Sequence, residues 1–254
     1  MDIGLNLYSL RNQIKEEKDF YSTMGILKEM GISFVQYSGA EFLPERIKKV
    51  SDETSVRVVL THVPFDRIVN DTDRLMEEHN LFSCSNIGLG AMDQAIARDG
   101  KKLEEFVEQL EKAACHMAGK GFSFFYHNHH FEFYKHESET IFDYITENAP
   151  HVNFTLDTYW VQYGGADIHR IIEKLNGRIG CVHLKDYKIQ LNKDNKFEPV
   201  FAPLGEGNMD FRSIVPEMKS AGTKFFLIEQ DNATEMERPF EQIEKSVRFI
   251  KNNF

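Results

Sequence analysis

Ionisable side chains recur where short apolar runs of this chain end. Asp157 closes the run FTLD, His183 lies in CVHLKD, and Glu229 lies in FFLIEQD. Two earlier runs end in the segments TH (61–62) and YHNHH (126–130). Carboxylates and imidazoles are side chains that bind divalent metals and move protons in catalysis. Their repetition at the ends of five runs indicates one shared site.

The histidines of the YHNHH segment are spaced so that two of them share a face. Residues i and i+2 of a strand point the same way, so His127 and His129 should point together and Asn128 away. The spacing leaves open which face meets the site. Acidic and imidazole groups that converge in a partly buried place need a compensating charge. A divalent cation supplies it, and the mixed donor set suits Mn²⁺, Mg²⁺, Co²⁺ or Zn²⁺.

Each candidate also has an ordinary structural role open to it. Asp157 fits the N-cap of a helix that follows its run. Glu229 could pair with a lysine such as Lys185, and His183 alone could be a hydrogen-bonded core histidine. The coincidence of all three at the ends of successive apolar runs favours a functional site.

Short β-branched or aromatic runs alternate along the chain with longer amphipathic stretches, which is typical of βα units. The predicted strands are 3–8, 33–38, 56–62, 86–90, 122–128, 152–157, 179–184 and 224–230. The predicted helices are 17–30, 44–50, 69–80, 101–119, 138–148, 166–175, 211–221 and 238–251. Glycines separate helix from strand, as a helix C-cap favours, at Gly31, Gly121, Gly177 and Gly222.

Alternating strands and helices predict a parallel sheet, and eight repeats predict its closure into a (β/α)₈ TIM barrel. The 254 residues suit one such barrel, so we expect a single domain over 1–254. A doubly wound open sheet is the main competitor, but its nucleotide-binding form lacks the expected G-x-G-x-x-G or P-loop motif. In a barrel the polar strand ends would meet at the carboxyl-terminal mouth. Residues 185–210 are predicted to form a long functional loop after the seventh strand.

Several segments resemble a known family. YHNHHFEF, LDTYW, GGAD, GRIGCVHLKD, PLGEGNMDF and IEQD are similar to the sugar phosphate isomerase/epimerase group of the xylose isomerase-like barrels, most densely over 122–232. The resemblance implies a metal held by Glu, Asp, His and Glu from strands five to eight. Asp157, His183 and Glu229 match the last three places. The strand-five place departs from the pattern, because His127 or His129 stands where many relatives have Glu; we take His129 as the ligand, with Glu132 as a substitute.

The resemblance also implies an activity. Such enzymes isomerise or epimerise sugars by removing a proton next to a carbonyl, through an enediolate, with the metal as Lewis acid. The alternative is a lyase, either an inosose-type dehydratase or an enzyme that eliminates the aglycone of a 3-keto-glycoside. We predict catalytic roles for His127, His129, Glu229 and Lys185. We predict substrate contacts for His62, Trp160 and Glu206.

Composition limits the partners. Thirty Lys and Arg against forty Asp and Glu give a net charge of −10, which disfavours nucleic acid and with it an endonuclease IV-like repair enzyme. No apolar run approaches the roughly 20 residues that cross a bilayer, and the first residues do not resemble a signal peptide. We therefore expect a cytoplasmic enzyme for a small sugar or sugar derivative, with homo-oligomerisation left open. A non-catalytic binding protein would not need ionisable residues clustered at strand ends.

Overall fold

The computed structural model describes residues 1–136 and 138–254. Eight parallel strands close into a barrel in which every strand lies beside its neighbours in the chain. They are β1 (Gly4–Asn6), β2 (Phe34–Tyr37), β3 (Arg57–His62), β4 (Asn86–Leu89), β5 (Ser123–His127), β6 (Val152–Asp157), β7 (Ile179–Leu184) and β8 (Phe225–Ile228). The predicted (β/α)₈ barrel is confirmed.

Helices surround the barrel. They are α1 (Glu17–Glu29), α2 (Pro44–Thr54), α3 (Phe65–Asn70), α4 (Thr72–Asn80), α5 (Gln94–Ala97), α6 (Gly100–Gly119), α7 (Ile141–Asn148), α8 (Thr158–Tyr163), α9 (Ile168–Lys174), α10 (Phe211–Ser220) and α11 (Pro239–Asn253). The predicted helix 69–80 is instead two helices that meet at Asp71, where the backbone leaves helical geometry. The short helices α5 and α8 were not predicted, because four to six residues carry too little periodicity.

The apolar side chains form two separate clusters. The larger lies between the strands and the surrounding helices. The smaller fills the barrel interior below the mouth and consists of Phe34, Val59, Leu60, Phe125, Cys181 and Leu227. Membership of one cluster or the other shows which way each strand residue points.

Strand β3 contains one residue more than its partner β2. Successive residues of β2 pair with Val58 and Leu60, so Val59 is the extra residue of a β-bulge. Val58 belongs to the outer cluster, whereas Val59 and Leu60 both face the barrel interior. The bulge reverses the alternation beyond it, and His62 therefore points into the barrel mouth.

Strand β7 has the same feature. Its pairing with β6 passes from Ile179 to Cys181 and skips Gly180. Cys181 faces the interior, and a Cβ built on Gly180 would also point there, only 2.6 Å from Cε1 of Phe125. Two consecutive inward residues again reverse the alternation, so that His183 points into the mouth. Without the bulge, plain alternation from Ile179 would turn His183 toward the helices.

The segment 185–210 is not the long loop that we predicted. Two antiparallel strands, Asp186–Leu191 and Phe197–Ala202, form a hairpin after β7. Its polar centre, which suggested a loop, is the turn between these strands. One face of the hairpin places Tyr187 opposite Phe201, and both lie near Tyr159 of α8. In the part of the chain that the structure describes, no helix is both long and apolar enough to cross a membrane.

Candidate metal centre and active site

Four buried side chains from four adjacent strands meet at the base of the barrel mouth. They are His127 at the end of β5, Asp157 at the end of β6, His183 in β7 and Glu229 just after β8. One potential ligand atom from each lies within 4.8 Å of every other. His129 is not in this set, because β5 ends at His127 and His129 lies two residues further along the loop.

The two histidines of this cluster are oriented by hydrogen bonds on their far sides. His127 donates from Nδ1 to the carbonyl oxygen of Gly90, 2.9 Å away. His183 donates from Nε2 to the amide oxygen Oε1 of Gln36, 2.7 Å away. Because a carbonyl or amide oxygen only accepts, the proton of each neutral ring is committed to its far side. The other nitrogen of each ring faces the cluster, an arrangement typical of metal-binding histidines.

The facing atoms fit a bound cation. Nδ1 of His183 lies 2.5 Å from Oε2 of Glu229, yet it has no hydrogen-bond partner among the described residues. Nε2 of His127 lies 3.5 Å from Oδ2 of Asp157. An imidazole lone pair that faces a carboxylate oxygen in a buried site is unfavourable unless a positive charge lies nearby. Two imidazole nitrogens and two carboxylates are ligands suited to a divalent transition metal or Mg²⁺.

The pKa shifts of these groups also indicate that the cluster requires a positive charge. Burial opposes ionisation of Glu229, but Lys185 and the His183 ring, when it is protonated, outweigh burial and hold the pKa of this carboxyl well below its usual range. Burial also disfavours a charged His127, but the carboxylates of Asp157 and Glu229 raise its pKa. A bound metal would supply positive charge in the same place, and it would displace the Nε2 proton of a charged His127 while the Nδ1 proton stays hydrogen-bonded to Gly90.

Lys185 is the buried cation nearest to the cluster. Its Nζ lies 3.5 Å from Asp157 Oδ2, 3.4 Å from Glu229 Oε1 and 2.7 Å from Asp231 Oδ1. Burial opposes its charge, but the three carboxylates outweigh burial and raise the pKa of Lys185. Burial raises the pKa of Asp231 to about 7, so this carboxyl can carry a proton near neutrality.

A cavity of about 390 Å³ opens above the cluster. Its walls include His62, His129, Trp160, Lys185 and Asp231. Burial lowers the pKa of His129 to about 3, so its ring is neutral, and its Nδ1 has no hydrogen-bond partner among the described residues. Trp160 lies over Nζ of Lys185, 5.0 Å from the ring centre. This volume suits a sugar-sized molecule rather than a polymer.

Two structural roles that the sequence left open, for Asp157 and Glu229, are compatible with a role in the metal site. Asp157 is an N-cap, since its Oδ1 accepts from the amide of Trp160 while Oδ2 faces the cluster. Glu229 does pair with Lys185, although Oε2 of Glu229 also faces His183. Each carboxylate has two oxygens, so a structural and a ligand role are compatible.

Two other predicted residues lie elsewhere. Glu206 does not line the cavity; it is half-exposed and pairs with Lys245 at 3.1 Å, because the chain turns at Gly205 toward α11. Glu132, the substitute ligand, is buried behind the loop, where it accepts from the Tyr126 hydroxyl and from the His129 amide. Its carboxylate therefore braces the loop instead of joining the cluster.

Sequence reasoning missed three polar residues of the mouth. Gln36 contacts His183, Asn6 donates to Glu229 Oε2 over 3.0 Å, and Asp231 contacts Lys185. Asp231 was visible in the motif IEQD, two residues after Glu229. Gln36 and Asn6 lie within the predicted strands 33–38 and 3–8 and are uncharged, so a search for ionisable groups at strand ends passed over them.

The fold and the site define a class of protein. Residues 24–253 match the sequence profile of the xylose isomerase-like TIM barrel family, and the chain belongs to that family. The resemblance read from the motifs is thereby confirmed.

One relative is similar in sequence over part of the chain, and others are similar in structure over nearly all of it. Inosose dehydratase from Geobacillus thermodenitrificans is 27% identical over 157 residues, which are 57% of this chain and 52% of that enzyme. The match thus spans about half the length of this relative. A sugar phosphate isomerase/epimerase from Parabacteroides distasonis ATCC 8503 superposes with a TM-score of 0.80 at 19% identity, covering 98% of this chain and 93% of the other.

A third relative was solved with a metal. This xylose isomerase-like TIM barrel protein from Mycobacterium smegmatis, in complex with magnesium, has a TM-score of 0.69 at 12% identity and covers 99% of this chain and 95% of its own. At these identities the two structural likenesses show the fold.

Proposed function

We propose that this chain is a divalent-metal-dependent isomerase or epimerase that moves a proton at a carbon next to the carbonyl of a sugar or sugar derivative. His127, Asp157, His183 and Glu229 would hold the metal. When bound, the metal supplies Lewis acidity at the substrate oxygens. The observation that carries the proposal is the meeting of these four donors beneath a sugar-sized cavity.

Two cavity residues are suited to handle the proton. His129 and Lys185 follow β5 and β7 and so flank the strand that carries Asp157. The neutral His129 ring, whose Nδ1 has no hydrogen-bond partner among the described residues, can accept a hydrogen bond from a substrate hydroxyl, and it can accept a proton where negative charge developing on the substrate raises its low pKa. The charged Lys185 is suited to hold a developing oxyanion or return a proton. Acceptor and donor at different positions around one substrate are what proton relocation requires.

A second function, a lyase, is favoured by one observation. One relative recognised by sequence is an inosose dehydratase. Elimination begins with the same proton abstraction and needs an acid at the departing oxygen. Asp231, whose pKa burial raises to about 7, lies in the cavity wall and could serve as that acid. Inososes and 3-keto-glycosides are the substrates to test for this route.

Incubation in D₂O with Mn²⁺ and a panel of aldoses, ketoses, inososes and 3-keto-glycosides tests the proposal. An isomerase or epimerase incorporates deuterium into a rearranged sugar without loss of water or aglycone. Release of either group would establish the lyase instead. Absence of both deuterium exchange and elimination across the panel would contradict proton abstraction.

Residue roles are tested by two variants. His129→Ala and Lys185→Met should each reduce turnover by about 10²-fold, the loss expected for a positioned acid or base, without weakening Mn²⁺ binding. Glu206→Ala, on the surface, serves as the matched control and should keep normal turnover. Mn²⁺ affinity lost with His129→Ala would instead make this residue a ligand, as the sequence alone predicted.

A further inference from the structure

Gln36 links two histidines of the barrel mouth through one amide group. It is fully buried in β2, and its side chain spans the interior between β3 and β7. Its amide nitrogen lies 2.6 Å from Nε2 of His62, and its amide oxygen lies 2.7 Å from Nε2 of His183. Gln36 thus donates to one imidazole and accepts from the other.

The first of these bonds shows which nitrogen of His62 carries the proton. Nε2 accepts from Gln36, which leaves the proton on Nδ1, 3.3 Å from the hydroxyl oxygen of Ser38. A side-chain amide nitrogen donates and does not accept, so Nε2 of His62 is the acceptor of this bond. With its nitrogen toward His62, Gln36 presents its amide oxygen to His183.

The second bond decides which nitrogen of His183 carries the proton. Glu229 Oε2, 2.5 Å from Nδ1, would otherwise attract the proton to that side of the ring. The amide oxygen of Gln36 keeps it on Nε2, so that Nδ1 presents a lone pair to the cluster. A metal can bind only the unprotonated nitrogen.

We infer that Gln36, held by His62, is a positioning residue that selects the Nε2-protonated form of His183 and so prepares Nδ1 to bind the metal. This inference rests on the proposed metal site but concerns residues outside the ligand set. Gln36 is not among the residues that line the cavity; it acts through His183.

Nitrogen-15 NMR of histidine-labelled, metal-free protein tests the inference directly. Long-range proton–nitrogen correlations distinguish the two neutral forms, and the His183 signals are assigned by their loss in His183→Gln. Wild-type protein should show His183 protonated on Nε2 and His62 protonated on Nδ1. In Gln36→Leu, the His183 proton should move to Nδ1, where Glu229 accepts it. Gln36→Glu keeps an acceptor and should restore the wild-type form.

Mn²⁺ titration followed by electron paramagnetic resonance gives the second readout. Gln36→Leu should bind Mn²⁺ about 10- to 100-fold more weakly, the range for loss of a partner of a metal ligand. His62→Phe keeps the amide but releases its orientation, and should weaken binding less. His183 still protonated on Nε2 in Gln36→Leu, or unchanged Mn²⁺ affinity in that variant, would overturn the inference.

Two safeguards keep the outcomes separate. If Gln36→Leu does not fold, the same two measurements are made on His62→Phe. His183 still protonated on Nε2 in that variant, together with unchanged Mn²⁺ affinity, would overturn the inference. If wild-type protein binds no Mn²⁺, the proposed function fails, and the NMR result in metal-free protein still decides whether Gln36 selects the His183 form.

Discussion

Strands β5 and β7 deliver a histidine to the same cluster in different ways. In β5, alternation is unbroken: Phe125 faces the barrel interior and so, two residues later, does His127. In β7, the extra residue Gly180 resets the alternation before His183. The comparison teaches that the direction in which a site residue points depends on every residue of its strand, including one that contributes no side chain.

The comparison predicts equal consequences when either histidine is lost. Replacing His127 or His183 by alanine removes a direct ligand, so Mn²⁺ affinity should fall by at least the roughly 100-fold that follows loss of a ligand's partner. Titration with Mn²⁺ measures this. His136→Ala, outside the cluster, should bind normally. Full affinity in either cluster variant would mean that the strand concerned supplies a structural histidine rather than a ligand.

Substitution of Gly180, in the β7 bulge, should destabilise the protein more than substitution of a glycine that has open space around it. In Gly180→Ala the new methyl group would meet Phe125 at 2.6 Å, so we expect a loss of about 1–3 kcal/mol in unfolding free energy from overpacking. Relief of this contact would shift the backbone three residues before His183. It should therefore also weaken Mn²⁺ binding, by less than loss of the ligand does.

The control for this variant is Gly119→Ala at the end of α6. Among the described residues, no atom outside its own stretch of α6 lies within 4 Å of the position that a Cβ would take there, and alanine in a helix is favoured over glycine by about 0.5–1 kcal/mol. Thermal melting of both variants, with and without Mn²⁺, makes the comparison. Equal melting and equal affinity in the two would show that Gly180 has no special role.

The sequence predicted most of what regular geometry determines. Eight βα repeats indicated the barrel, and polar strand ends indicated Asp157, His183 and Glu229, because a barrel brings strand ends together whatever lies in the helices. For the fourth member the sequence named His129, whereas the structure groups His127 with the other three, since periodicity does not tell where β5 ends.

What the sequence concealed depends on contacts between distant strands. A bulge is defined by pairing with the neighbouring strand, and nothing in the letters RVVLTH or IGCVHL states that pairing. Gln36 likewise has a role only because the two bulges turn His62 and His183 toward it. Residues of this kind become recognisable only when three strands are seen together.

The smallest effect is expected at Val59, the extra residue of β3. Its side chain fills the barrel interior, so Val59→Ala should cost about 1–3 kcal/mol of unfolding free energy through lost packing. The backbone still contains the extra residue, and His62 should therefore still point toward Gln36. Mn²⁺ affinity and the nitrogen-15 signals of His62 and His183 should match those of the wild-type protein. A loss of affinity as large as that in Gly180→Ala would show that side-chain packing, rather than the inserted backbone unit, directs the histidine that follows.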